Sequence, residues 1–98
     1  MVVHELKTWP YEFAAVRAGT KKYEIRKNDR NFKVGDGLLL NEWYPEGYCR
    51  PECNNKKADI PHIHPAGYTG EWERRGIAYI TPGGSWGLPP DICVLGFE

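Results

Sequence analysis

The sequence predicts a mostly β domain with one or two short helices, folded as a small barrel or rolled sheet with a long loop insertion. Three observations point there. Gly (11) and Pro (8) are both abundant in a chain of 98 residues, which suits many turns and short strands. Five short apolar or alternating runs are separated by turn-forming residues. From residue 44 to residue 71 that rhythm stops, and a structureless stretch so long is uncommon inside a compact domain.

The elements follow in order. Val2 to Lys7 alternates as a first strand, with Val3 and Glu5 on one side and His4 and Leu6 on the other. Thr8 is a good helix N-cap, and Pro10 sits in the first turn, where its missing N–H costs nothing. Trp9, Phe13 and Val16 then form one apolar stripe of a short helix. Gly19 ends it, free to take a positive φ. Lys21 to Lys27 alternates again: Tyr23 and Ile25 face one way, Lys22, Glu24 and Arg26 the other. Asn28 to Asn31 and Val34 to Gly37 are turns. Leu38 to Trp43 is an apolar, central strand. Arg75 to Thr81 and Ile92 to Phe97 complete the set.

Composition narrows the function. Apolar residues make up 41 % of the chain and aromatics 13 %, so a wholly disordered segment is excluded. A single domain of this length hides roughly 60–70 % of its unfolded surface, enough for one core without disulfides or metal. The start, Met1-Val2-Val3-His4-Glu5, lacks the features of a secretory signal. The longest apolar run, Leu38 to Leu40, is far short of the ~20 residues that span a membrane. Three cysteines cannot make a full disulfide framework. The expectation is a reduced, cytoplasmic protein with no membrane partner.

The net charge is zero, but it is unevenly spread. Residues 1–34 carry eight Lys or Arg against four acids, and residues 35–98 carry five against nine. One basic face would attract an anion, or the two halves simply attract each other. The basic half contains Gly19-Thr20-Lys21-Lys22-Tyr23-Glu24-Ile25-Arg26. Lys and Arg suit phosphate contacts, and a carboxylate between them can accept hydrogen bonds from a base or sugar. Strand alternation sets Lys21 opposite Glu24, so the two meet only if Lys21 curls over the strand mouth. The competing reading is a solvated edge strand with ordinary surface pairs.

The pattern Gly19-x-Lys21-x-x-Glu24-x-Arg26 resembles the signature of the ASCH domain family, within the PUA-like β-barrel superfamily. Phe32-Lys33-Val34-Gly35-Asp36 looks like the family's following turn. His4 to Pro10 looks like the start of an uncharacterised bacterial and phage branch. The resemblance covers Val2 to about Trp43 well and the last two strands loosely, and residues 44–71 stand outside it as an insertion. It implies one ASCH-like domain over residues 1–98, with a cleft beside the helix that binds RNA or a nucleotide-like small molecule. Gly19, Lys21, Glu24 and Arg26 would line that cleft. Lys22, Lys27 and Arg30 would widen the phosphate footprint. One branch of the family hydrolyses an acyl amide on a modified cytidine. It is similar in having a lysine where Lys21 stands, but it uses a threonine where this chain has Glu24. As an amidohydrolase, this protein would use Lys21 and Glu24 as its catalytic groups. A third reading is a protein-interaction module working through residues 44–71.

Trp9, Tyr11, Trp43, Trp72 and Trp86 are many for so short a chain. Taken singly, each is expected in the core. Trp9 and Tyr11 lie closest to the motif and are the candidates for stacking a base. The insertion also holds Cys49-x-x-x-Cys53 and His62-x-His64. Four such ligands suit a structural zinc, which would order a long loop, although the spacing is not that of the common finger. Solvated loop residues are the alternative. Cys93, in an apolar strand, is expected to be a buried small hydrophobe.

Overall fold

The computed structural model describes residues 1–48 and 65–98. Five strands and one helix follow in the order β1 (Val3–Thr8), α1 (Pro10–Arg17), β2 (Tyr23–Lys27), β3 (Gly37–Tyr44), β4 (Gly67–Thr81) and β5 (Ile92–Phe97). Among the described residues no helix is long and apolar enough to cross a membrane. The strands make one sheet in the order β1-β3-β4-β5-β2. β1 runs parallel to β3, and the other neighbours are antiparallel.

The sheet is open, not the closed barrel the sequence suggested. β1 and β2 are its two edges, and no backbone ladder joins them. Two arginine side chains reach across instead. Arg26 Nη2 donates to the Lys7 carbonyl at 2.7 Å, and Arg30 Nη1 donates to the Glu5 carbonyl at 2.6 Å. Strand parity explains the match. The Val2 carbonyl accepts from Gly37 N, so even-numbered carbonyls of β1 face β3 and odd-numbered ones face outward. The guanidinium groups satisfy acceptors that an exposed edge would leave unpaired.

The core face is built by period-two burial. In β1, His4, Leu6 and Thr8 are buried while Val3, Glu5 and Lys7 are exposed. Leu38 and Leu40 of β3, Ile77 of β4, and Cys93, Leu95 and Phe97 of β5 join Leu6, Val16 and Phe32 in one cluster. Cys93 is fully buried, as expected, and burial pushes its thiol pKa up. α1 lays Phe13 and Val16 on this core. Its far end is tied to β4 by Arg17, which meets Glu71 and Glu73 at 2.8 Å each. Arg75 adds a bond to the Val16 carbonyl at 3.1 Å.

Three local expectations change. Thr8 does not cap α1: it ends β1, and its buried hydroxyl turns back to the Leu6 carbonyl. Trp9 occupies the cap position with no side-chain hydrogen bond, and Pro10 opens the helix. β4 begins at Gly67, not Arg75, because its first half pairs with the length of β3 as far as Tyr44. The aromatics are not mostly core. Trp9, Tyr11, Trp72 and Trp86 are all more than half exposed.

A buried polar pair closes the β1–β3 end. His4 Nε2 meets Asp36 Oδ2 at 2.9 Å, and the Val2 and Lys33 amides donate to the same carboxylate. The His4 hydrogen bond holds the Asp36 carboxyl below its ordinary 3.8. A depressed folded-state pKa gives stability that is present above the unfolded value and lost as pH falls through the folded one. Asp36→Asn is therefore expected to lower the urea midpoint at pH 7, with the deficit shrinking toward the wild type as pH falls from the unfolded value of 3.8 through the lower folded-state value. An equal deficit above and below these values would show that the loss is steric.

Candidate functional site

Gly19 turns the chain out of α1 with φ +80°. The amides of Thr20 and Lys21 then both bond to the Ala15 carbonyl, at 3.0 and 3.1 Å. This tight exit sets Lys21 just before β2 rather than on its alternating face. The ammonium curls over the strand mouth as the motif required. Lys21 Nζ lies 2.5 Å from Glu12 Oε2 and 3.5 Å from Glu24 Oε1. Desolvation alone would lower the Lys21 pKa. The hydrogen bond Lys21 donates to Glu12 and the charges of Glu24 and Glu12 outweigh it, so the pKa is raised and the ammonium persists at neutral pH.

Glu24 is the centre of the site. Opposite it on β5 stands Leu95, and opposite Arg26 stands Cys93. Directly paired residues share a sheet face, so both charged side chains lie on the core side. Tyr23 and Ile25, the apolar pair, face solvent. Glu24 is only 4 % exposed. β2 is an edge strand with an exposed face, but its Glu24 pair is buried and not one of ordinary surface pairs. Arg26 Nε and Nη2 both meet Glu24 Oε2, at 3.0 and 2.9 Å. Oε1 has only the long Lys21 contact among the contacts described for it.

The carboxylate opens onto a cavity of about 420 Å³ walled by Lys7, Thr8, Trp9, Glu12, Lys21 and Arg26, with Tyr23 and Ile25 at its edge. Trp9 stands at this mouth, half exposed, its ring edge-on to Tyr48 at 6.4 Å. A second groove of about 710 Å³ runs along the β1–β2 seam and shares Lys7 and Arg26 with the first.

The sequence candidates divide accordingly. Lys21, Glu24, Arg26 and Trp9 come together in the cleft, with Gly19 as its turn. Arg30 lies at the neighbouring seam groove. Lys22, Lys27 and Tyr11 are exposed and line neither cavity. Cys49, Cys53, His62 and His64 lie outside the described residues. Among the described residues no group of three or more His, Cys, Asp or Glu could hold a metal. Sequence reading missed Glu12 and Lys7. Glu12 is nine positions from Lys21, and no local pattern joins them. Lys7 carried a signal, because β1 alternation turned it outward.

The chain belongs to the family described as a domain of unknown function (DUF3850), whose model matches residues 3–97. It is also 46 % identical over 41 residues to an uncharacterized 12.9 kDa protein in the GpA 3' region of Escherichia phage P2. That stretch covers 42 % of this chain and 38 % of the phage protein, so the chain spans well under half of that relative.

Removing one partner of a buried ion pair strands the other. Arg26→Ala is expected to destabilise the fold by about 2–3 kcal/mol, less than the ~3–5 of a fully enclosed pair, because Lys21 remains. Adding Glu24→Gln to that variant should recover part of the loss in urea titrations. An Arg26→Ala cost below about 0.5 kcal/mol would mean that Glu24 does not depend on the pair.

Proposed function

We propose that this protein binds single-stranded RNA or a nucleotide-like ligand in the cleft over Glu24. The observation that carries the reading is a buried carboxylate, fixed by two cations, that lines a cavity and whose Oε1 has acceptor capacity to spare. An anionic acceptor of this kind selects N–H donors, such as the exocyclic amine of cytosine. Its position is set by Arg26, so little ordering is left for the ligand to induce. Lys7 and Lys21 supply positive charge around it, and Trp9 offers an exposed ring for stacking. A cavity of about 420 Å³ suits one nucleotide. The likeness of Gly19-x-Lys21-x-x-Glu24-x-Arg26 to the ASCH signature of PUA-like domains supports the same reading.

The closeness of Lys21 Nζ to Glu24 Oε1 also favours a hydrolytic reading, an amidohydrolase on an acylated nucleoside. Lys21 stays protonated, so it can steady a developing oxyanion but cannot take a proton. Glu24 would have to be the base.

Titration of short single-stranded RNA into the wild type and Lys21→Ala, at two salt concentrations, tests the binding reading. Affinity is expected to fall with salt, at a slope of about −0.7 per phosphate contact. It should fall again, by roughly tenfold, in the variant, equivalent to about 1.4 kcal/mol. Absence of binding at low salt would remove the RNA reading. Turnover of an acylated cytidine that survives moderate salt and vanishes in Lys21→Ala would install the hydrolase instead.

A further inference from the structure

The seam groove is a separate cavity with its own chemistry. It begins at the unpaired edges of β1 and β2, with Lys7, Arg26 and Arg30, and extends to Asn41 of β3 and to Tyr68 and the acid Glu71 of β4, and Glu5 also lines it. Its two acids are already engaged. Glu71 meets Arg17 at 2.8 Å, and Glu5 accepts from the Asn41 amide at 3.4 Å. Lys7 sits with its ammonium 4.6 Å from the Trp43 ring centroid. Arg30 is exposed and gives one Nη1 bond to the Glu5 carbonyl, leaving most of a five-donor fork for a ligand. Tyr68 is 56 % exposed. Cations beside an exposed ring, on a wall shared with the Glu24 cleft, suit a phosphate followed by a base.

We infer that this seam is a second nucleotide subsite, continuous with the Glu24 cleft, with Tyr68 stacking the neighbouring base and Lys7 and Arg30 holding the phosphate between. The inference rests on the RNA reading of the cleft. An added peptide strand is the other chemistry an open sheet edge invites. It does not fit here. The outward carbonyls of Glu5 and Lys7, which such a strand would need, are already taken by Arg30 and Arg26. A free edge is thus converted into a charged trough. Residues that no motif marks, Tyr68 above all, become ligand contacts, and the ligand becomes a strand of at least two nucleotides.

The test is a length series. Oligocytidylates of one, two and four residues are titrated at fixed low salt into wild type, Tyr68→Ala and Tyr68→Phe. The readout is the ratio of tetranucleotide to mononucleotide affinity. In wild type it should exceed about tenfold, with the salt slope steeper by about 0.7 for each added phosphate held. Tyr68→Ala should collapse the ratio toward one, and Tyr68→Phe, which keeps the ring, should retain it. Mononucleotide binding with no gain from length overturns the seam subsite and leaves the Glu24 reading standing. A ratio unchanged in Tyr68→Ala overturns it equally. Failure of every oligomer to bind removes both.

Discussion

A carboxylate taken out of water must be matched by positive charge, and that requirement at Glu24 organises this molecule. Leaving it unpaired would cost several kcal/mol. The pairing is met from two sides: Arg26 shares its strand face, and Lys21 reaches down from the helix exit. Arg26 then has a donor left, which goes to the β1 carbonyl of Lys7. One ion pair thus also fixes how far apart the two edges of the sheet stand. A side chain of that length fills the space where a fifth pairing, between β1 and β2, would close a barrel.

Much of this was legible in the sequence, for local reasons. The alternation of Val3 to Thr8 and Tyr23 to Lys27 gave the right faces, because period-two burial is a property of the strand itself. Gly19 announced the helix exit, and Cys93 its burial. The motif brought Lys21, Glu24 and Arg26 into one group. What could not be read was which face of β2 looks inward. Tyr23 and Ile25 are the more apolar pair, and hydropathy alone would bury them. The fold buries Glu24 because the face opposite Leu95 and Cys93 is the core face. That is decided by a strand some seventy positions away. Thr8 misled for a related reason. Its cap chemistry is sound, but β1 keeps the residue as its own last buried position.

The exposed aromatics follow from the open sheet. A closed barrel gives each strand one inner face, and large rings fill it. Here α1 covers the inner side, and Phe13 with the β-strand aliphatics occupies most of it. Trp9 and Tyr68 are left at the margins of the two cavities, and Tyr79 lies across Gly96, where an added methyl would meet its ring at 2.1 Å. Tyr68 stands on a strand and Trp9 at the junction of β1 and α1, and side chains on such elements are held more firmly than side chains on loops.

The strand order has a temporal side as well. Among the described residues β2 pairs with β5 alone, so the motif strand waits for that neighbour until almost all of the sequence is present. Contacts between positions so far apart carry a large loop-closure entropy and form slowly. On a growing chain, Lys21, Glu24 and Arg26 would all be in water long after β1 and α1 had been made. The cleft over Glu24 is therefore assembled as one of the final acts of folding, and a chain halted before β5 would have Lys21, Glu24 and Arg26 without it.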